Sequence, residues 1–330
     1  MIRIRLACLT TIFCISSMID KHELLAIGND RLRRKATYAS VSVATILIVA
    51  KLAAYLMTDS VAMLSSLLDS LFDLVASLVT AYGVASALRP PDHEHRYGHG
   101  KAEPLAALAQ AAFIIGSSLV LGYEAVSRLY HPQGIEHETV GYAVMGLAIV
   151  LTTGLVTFQH HVVHETHSTA IGTDRLHYVG DIAVNLAVVI AFALHHFTGQ
   201  NWFDPVFAIA IASGLLVSAF HVLKLALIAL MDAELPDDRR AHIRDIVRRQ
   251  SGVTGVHDMR TRSDSDRIFI ELHVEMDGAI SLLQAHELSE KIIDAINAEI
   301  PNADIVIHQD PAGLIEDRRD AQIARRWAAK

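Results

Sequence analysis

Apolar and polar positions divide this chain into two regimes. Six long apolar runs occupy Ala36–Met57, Val61–Ala87, Pro104–Leu129, Val140–Val162, Leu176–Phe197 and Phe203–Leu230. Each reaches the roughly 20 residues that a helix needs to cross the hydrocarbon core of a bilayer. From Asp237 onward charges are dense and the period shortens. Asp237–Gln250 reads as a helix after Pro236, and His257–Thr261 and Arg267–Glu275 read as strands. In the second strand Ile268, Ile270, Leu272 and Val274 alternate with Phe269, Glu271, His273 and Glu275. Leu282–Ile300 reads as an amphipathic helix stopped by Pro301, and Ala303–His308 as a last strand. The pattern predicts an all-α six-helix transmembrane domain followed by a small α+β domain of order αββαβ, with helices on one face of its sheet.

Basic residues orient the spans. Arg31, Arg33, Arg34 and Lys35 precede the first, Arg89, Arg96 and Lys101 lie between the second and third, and Arg175 precedes the fifth. The loops after spans one and five carry no Lys or Arg. The positive-inside rule then places both termini in the cytoplasm. The expected divisions are residues 1–35 as an extension and cytoplasmic segment, 36–231 as the membrane domain, 232–314 as the cytoplasmic domain and 315–330 as a charged tail. Arg3 and Arg5 before the apolar stretch Leu6–Ile15 resemble a signal-peptide core. A polar, basic segment follows instead of a cleavage site, so Met1–Ser17 reads as a dispensable extension with Met18 as the start; a working signal or anchor is the alternative.

Composition narrows the chemistry. Charged residues make up 19% and hydrophobic ones 52%, with a formal net charge of −8. Soluble domains carry about 25% charged residues, and an acidic chain is a poor nucleic-acid partner. Nineteen histidines stand against two cysteines, Cys8 and Cys14. That count excludes a disulfide framework and directs any metal to imidazole and carboxylate.

Three groups offer such ligands. Asp69 and Asp73 in span two, and His177 and Asp181 in span five, are each spaced i, i+4, which puts each pair on one helical face. A mid-membrane carboxylate costs about 2.5–3.5 kcal/mol on insertion scales, so three of them require a compensating charge. One divalent cation held by three carboxylates and one imidazole supplies it, and four-coordinate N/O ligation suits zinc. Asn185 continues that face as a supporting residue. Lys51 and Lys224, near span ends, are poor partners for acids deeper in the bundle. A second group, Asp92, His95 and His99, has ligand-like spacing in the loop between spans two and three, where a solvated polar loop is the other reading. A third, His257, His273, His286, His308 and Asp310, is spread over the cytoplasmic part.

Asp69-Ser-Leu-Phe-Asp73, His95-Arg-Tyr-Gly-His-Gly-Lys-Ala-Glu-Pro-Leu105 and His177-Tyr-Val-Gly-Asp181 together resemble the cation diffusion facilitator family. Its bacterial zinc and ferrous-iron efflux members are the nearest likeness. Gly255-Val-His-Asp-Met-Arg-Thr-Arg262 and Ile307-His-Gln-Asp-Pro311 extend the resemblance from about Met18 to Pro311. It implies a homodimer in the cell membrane that exchanges metal for protons, with no prosthetic group. It also implies a transport site of Asp69, Asp73, His177 and Asp181 and a loop site of Asp92, His95 and His99. A two-metal cytoplasmic site would use His257, His273, His286 and His308, bridged by Asp310, on a metallochaperone-like fold. Lys101 matches the basic residue of an interlock between protomers, with Asp232 as its acidic partner. His160, His161, His164 and His167 depart from the nearest relatives; a metal-loading group is one reading and an interfacial helix end the other.

The expected activity is efflux of a divalent cation, zinc first and cadmium or ferrous iron next, by alternating access with protons as counter-ion. Metal ligands must be deprotonated, which links binding to protonation. A membrane metalloenzyme is disfavoured because no H-E-x-x-H occurs and four ligands leave no open position for water. A membrane-anchored metal sensor without transport is the alternative.

Overall fold

A computed structural model of the 330-residue chain describes residues 2–58, 61–130, 139–198, 202–264, 267–314 and 318–328, with side chains from residue 28 onward except at 58, 61–63, 65, 139–142, 188, 192, 193, 195, 196 and 204. The chain forms two compact units, Met1–Leu227 and Ile228–Lys330.

The first unit is helical. Its helices are α1 (Ile2–Thr58), α2 (Val61–Ala87), α3 (Ala102–Tyr130), α4 (Thr139–Thr166) and α5 (Thr169–Thr198), and α6 (Phe203–Leu230) follows them. Helix α2 packs on α1 and α3, α4 packs on α1 and α5, and α5 also packs on α3 and α2. The burial order is the reverse of a soluble bundle. Ala36, Ser40, Ser77, Thr80, Ala107 and Gln110 are buried, whereas Val49, Leu56, Phe72, Leu119, Val150 and Val217 are exposed. Small and polar residues between helices with bulky apolar ones outside is the arrangement that lipid, not water, stabilises. Gly83 shows how close the helices come, since a Cβ there would lie 2.3 Å from the Ala106 Cβ.

Five helices among the described residues are long and apolar enough to cross a membrane, in the segments Gly28–Met57, Ser66–Ala87, Ala102–Tyr130, Ala143–Thr166 and Pro205–Leu230. The sixth expected span falls on α5, whose residues 188, 192, 193, 195 and 196 lie outside the described side chains. Its sequence carries Asp174, Arg175, His177 and Asp181 in the first half.

The second unit runs α7 (Asp237–Arg248), β1 (Val253–Ser263), β2 (Ile268–Met276), α8 (Leu282–Glu299), β3 (Ala303–Pro311) and α9 (Arg319–Ala328). Asp237 and Asp238 sit in the first turn of α7, where carboxylates meet the positive end of the helix dipole. A Ser281–Gln284 capping box starts α8. The sheet order is β1-β2-β3, with β1 antiparallel and β3 parallel to β2. Ile270, Leu272 and Val274 of β2 bury against Ile243 and Val247 of α7 and Ile292 and Ile296 of α8. The opposite sheet face is left to polar side chains. Both outer strands outrun their expected bounds, because β1 pairs with β2 from Val253 and β3 continues its pairing to Pro311. The charged tail contains a helix, α9.

Candidate metal centres

Asp73 of α2 and His177 and Asp181 of α5 each offer a ligand atom, and these three atoms lie within 4.8 Å of one another. His177 Nε2 is 2.9 Å from Asp73 Oδ1 and 3.8 Å from Asp181 Oδ2. The imidazole is T-stacked on Tyr178, whose hydroxyl is 2.8 Å from Ser77 Oγ. Asn185 turns back to its own helix and donates to the Asp181 carbonyl at 2.9 Å. Asp69 stands apart from the expected foursome. One turn earlier on α2, it is exposed and outside the three-donor group. Lys51 also differs from the expectation of a lysine turned to the membrane edge. Its ammonium points into the bundle and donates to the Ser66 carbonyl at 3.1 Å and Ser70 Oγ at 2.7 Å.

One turn on the other side of His177, Asp174 is fully buried. Its Oδ2 accepts from Ser40 Oγ and Gln159 Nε2, each at 2.7 Å, and its Oδ1 accepts from Gln110 Nε2 at 3.3 Å. Gln110 also donates to the Ala76 carbonyl and Thr80 Oγ1, both at 2.7 Å. Residues of α1, α3 and α4 therefore converge on a single carboxylate of α5, and α2 joins through Gln110. A further buried pair, Arg33 and Glu103 at 3.7 Å, lies in the same unit, and Arg33 donates to the Thr166 carbonyl at 2.9 Å. Sequence reading missed this network. The available signal was Asp174 itself, an acid three residues before His177 and so on its face.

In the loop after α2, Asp92 Oδ1 accepts the backbone N–H groups of Glu94 at 2.9 Å and His95 at 2.7 Å. Asp92 also lies 3.3 Å from both His95 Nδ1 and His99 Nε2. The His95 N–H, with that of Glu94 and the nearby His99, holds the Asp92 carboxyl below the ordinary carboxylate range. Gly98, at φ 87°, supplies the turn that returns His99 to the aspartate. All three expected loop residues meet.

The cytoplasmic group follows from strand register. His257 pairs with His273 across β1 and β2, and His273 pairs with His308 across β2 and β3. The three histidines form a row, with ring centroids 5.1 Å and 4.5 Å apart. Asp310, two residues beyond His308, shares its face. Its Oδ2 lies 3.3 Å from His257 Nε2 and 2.9 Å from His273 Nδ1, while its Oδ1 lies 3.3 Å from His308 Nε2. His257, His273 and Asp310 form the close trio, with the exposed His308 at its edge. The buried Nδ1 of His257 has no hydrogen-bond partner. His286 differs from the expectation of a ligand beside these residues. It is exposed on α8, where Glu290 lies 4.0 Å away. Asp232 sits 3.6 Å from Arg262 of the same unit, whose guanidinium covers the Phe269 ring at 4.5 Å. The histidines of the last turns of α4, with His167 just beyond, form no donor trio among the described residues; His160 Nδ1 accepts from Arg175 at 2.8 Å, and His164 lies 3.4 Å from Glu165.

Residues 37–231 match the family of the cation efflux transmembrane domain, and residues 235–312 match that of the cation efflux protein, cytoplasmic domain. The chain is 43% identical over 292 residues to the cation-efflux pump FieF of Serratia proteamaculans, covering 88% of this chain and 97% of that protein. FieF of Cronobacter sakazakii is 43% identical over 285 residues, covering 86% and 95%. A solved structure, the metal-bound C-terminal domain of the CzcD transporter from Thermotoga maritima, is 32% identical and covers 24% of this chain and 93% of its own, with a TM-score of 0.23.

Proposed function

The chain belongs to the cation diffusion facilitator, or cation efflux, family, and from that premise we propose that it is a zinc exporter driven by protons. Cadmium and ferrous iron are further candidate cargoes. The observation that carries this reading is the placing of one histidine nitrogen between two carboxylates, one on each of two facing helices, in the group Asp73, His177 and Asp181. The donor set of one nitrogen and two carboxylates suits a borderline divalent ion. Asp69, one turn away, is the fourth donor once α2 rotates or a rotamer changes.

The exchange follows from the atoms. His177 Nε2 binds a proton or a metal ion, never both, and deprotonated carboxylates favour the metal. Metal enters from the cytoplasm when the three groups are deprotonated, and protons arriving from the other side displace it. The chain works as a homodimer with both termini in the cytoplasm and Lys101 and Asp232 tying the protomers. Asp92, His95 and His99 act as a loop site. His257, His273, His308 and Asp310, with His286, sense metal and favour the transporting state.

The test is zinc flux into proteoliposomes under a pH gradient, comparing wild type with Asp73→Ala. Gradient-dependent flux that vanishes in the variant is the expected result. Absent flux in wild type, with zinc still held by the cytoplasmic unit, would overturn transport in favour of a membrane-anchored sensor.

A further inference from the structure

Helix α9 lies beyond the segment that matches the family's cytoplasmic domain, which ends at residue 312. Its contacts nonetheless lead to the cytoplasmic trio. A bulge between His257 and Arg260 turns Asp258 out of β1 in a left-handed conformation, at φ 46°. From there the Asp258 carboxylate accepts the N–H groups of Arg319 and Asp320, each at 2.8 Å, and so caps α9 from a distant strand. The Asp320 carboxylate returns the bond, accepting the Asp258 N–H at 2.9 Å.

The second tether is ionic. Just before α9, Arg318 donates to Glu275 Oε1, and that same oxygen is 3.6 Å from His257 Nε2. Glu275 pairs with Gly255 on one side and Asp310 on the other, one pair along from the histidine row. A Cβ at residue 255 would lie 2.6 Å from Glu275 Oε2, so only glycine admits the carboxylate in this position. His257 Nε2 thus faces two carboxylates, Asp310 and Glu275, and one of them is occupied by an arginine.

We propose that Glu275 is a fourth donor to a divalent cation at His257, His273 and Asp310, and that Arg318, held in place by the Asp258–Asp320 clasp, withholds it. This inference rests on the reading of that trio as a metal-sensing cluster. Charge makes the competition direct. With neutral imidazoles, Asp310 and Glu275 contribute two negative charges, which one divalent ion cancels. Arg318 then faces a bound cation across a shared carboxylate and is repelled. Metal binding releases α9, and a docked α9 weakens metal binding by the same factor.

The experiment uses the full-length protein in detergent with Asp73→Ala and Asp92→Ala, which removes the membrane and loop groups from the titration. Zinc affinity is read by competition with a chromophoric chelator, and α9 release by the rate of trypsin cleavage at Arg318 and Arg319. Arg318→Gln is expected to tighten zinc binding about tenfold, from the loss of one repelling charge beside the ion. Asp320→Ala, which touches no donor, should move affinity in the same direction. Glu275→Gln should weaken binding, make Arg318→Gln silent and leave cleavage fast without zinc. Unchanged affinity in both Arg318→Gln and Asp320→Ala, with zinc still lost in His273→Ala, overturns the latch and leaves the sensing cluster standing. Zinc binding that His273→Ala does not alter overturns both.

Discussion

His177 Nε2 lies 2.9 Å from Asp73 Oδ1, so the contact between α5 and α2 is made through the atom that a metal would use. With Asp181 Oδ2 at 3.8 Å from the same nitrogen, the pocket calls for a positive charge at one point. A proton on the imidazole and a divalent ion in its place are the two ways to supply it. On the proposed reading, exchange of one for the other takes place at this single position.

Asp69 and Asp73 should behave differently although they share a helical face. Asp73→Asn removes a member of the trio, whereas Asp69→Asn alters an exposed neighbour. The expected loss of zinc affinity is about 10-fold for Asp69→Asn, as for an outer partner, and more than about 100-fold for Asp73→Asn, beyond the outer-partner range. Equilibrium binding to the purified protein checks it. Equal losses would place Asp69 inside the resting site.

The Asp174 clasp predicts a stability effect. Asp174→Ala removes the shared acceptor of Ser40, Gln110 and Gln159, each of which keeps another partner. A buried hydrogen bond lost in this way costs about 0.5–1.5 kcal/mol, so the loss of three should lower the thermal midpoint in detergent by several degrees. Gln159→Leu should fall less, because Ser40 still reaches the carboxylate. An unchanged midpoint in Asp174→Ala would show that the network carries no net stability.

Gly83 is a packing position that tolerates no side chain. The 2.3 Å separation from Ala106 Cβ forces α2 and α3 apart in Gly83→Val. Overpacking of this kind costs about 1–3 kcal/mol. Thermal unfolding monitored by size-exclusion fluorescence should show the loss, and Ala106→Gly in the same chain should restore part of it.

The docking of α9 should withstand acid. Burial pushes the Asp258 carboxyl up, yet the N–H groups of Asp320 and Arg319, with His257 and His273 nearby, leave it below the ordinary carboxylate value. A group lowered on folding contributes stability that is fully present above its unfolded pKa, about 3.9 for aspartate, and lost as pH falls through the folded value. Hydrogen exchange of α9, corrected for intrinsic rate, should therefore stay constant from pH 7 to about pH 4.5 and rise only below the ordinary aspartate range. Asp258→Asn should raise exchange throughout.

Local spacing made part of this architecture legible. The i, i+4 separation of His177 and Asp181 puts both on one turn of α5, and the apolar sequence around them marks them as costly. The alternation in Ile268–Glu275 likewise separates core from polar face. Other features depend on long-range packing. Asp174 precedes the apolar run that starts at Leu176, and only the side chains of α1, α3 and α4 bury it. His257, His273 and His308 are recognisable as ligand types, but their alignment requires the strand register. Lys51 looked like an edge residue because sequence position gives depth without direction. The role of Asp258 depends on a bulge and a left-handed backbone, which composition does not encode.

Helix α5 has a consequence for biogenesis. Its first half carries Asp174, Arg175, His177 and Asp181, groups that each cost free energy in lipid when unpartnered. A translocon sorts segments by their own partitioning into lipid, and these groups disfavour insertion until they find partners. Ser40, Gln110 and Gln159 satisfy Asp174, and these residues are synthesised before it. The earlier helices thus form a template into which α5 is received, and damage to that template would appear as failed topogenesis ahead of any defect in metal handling.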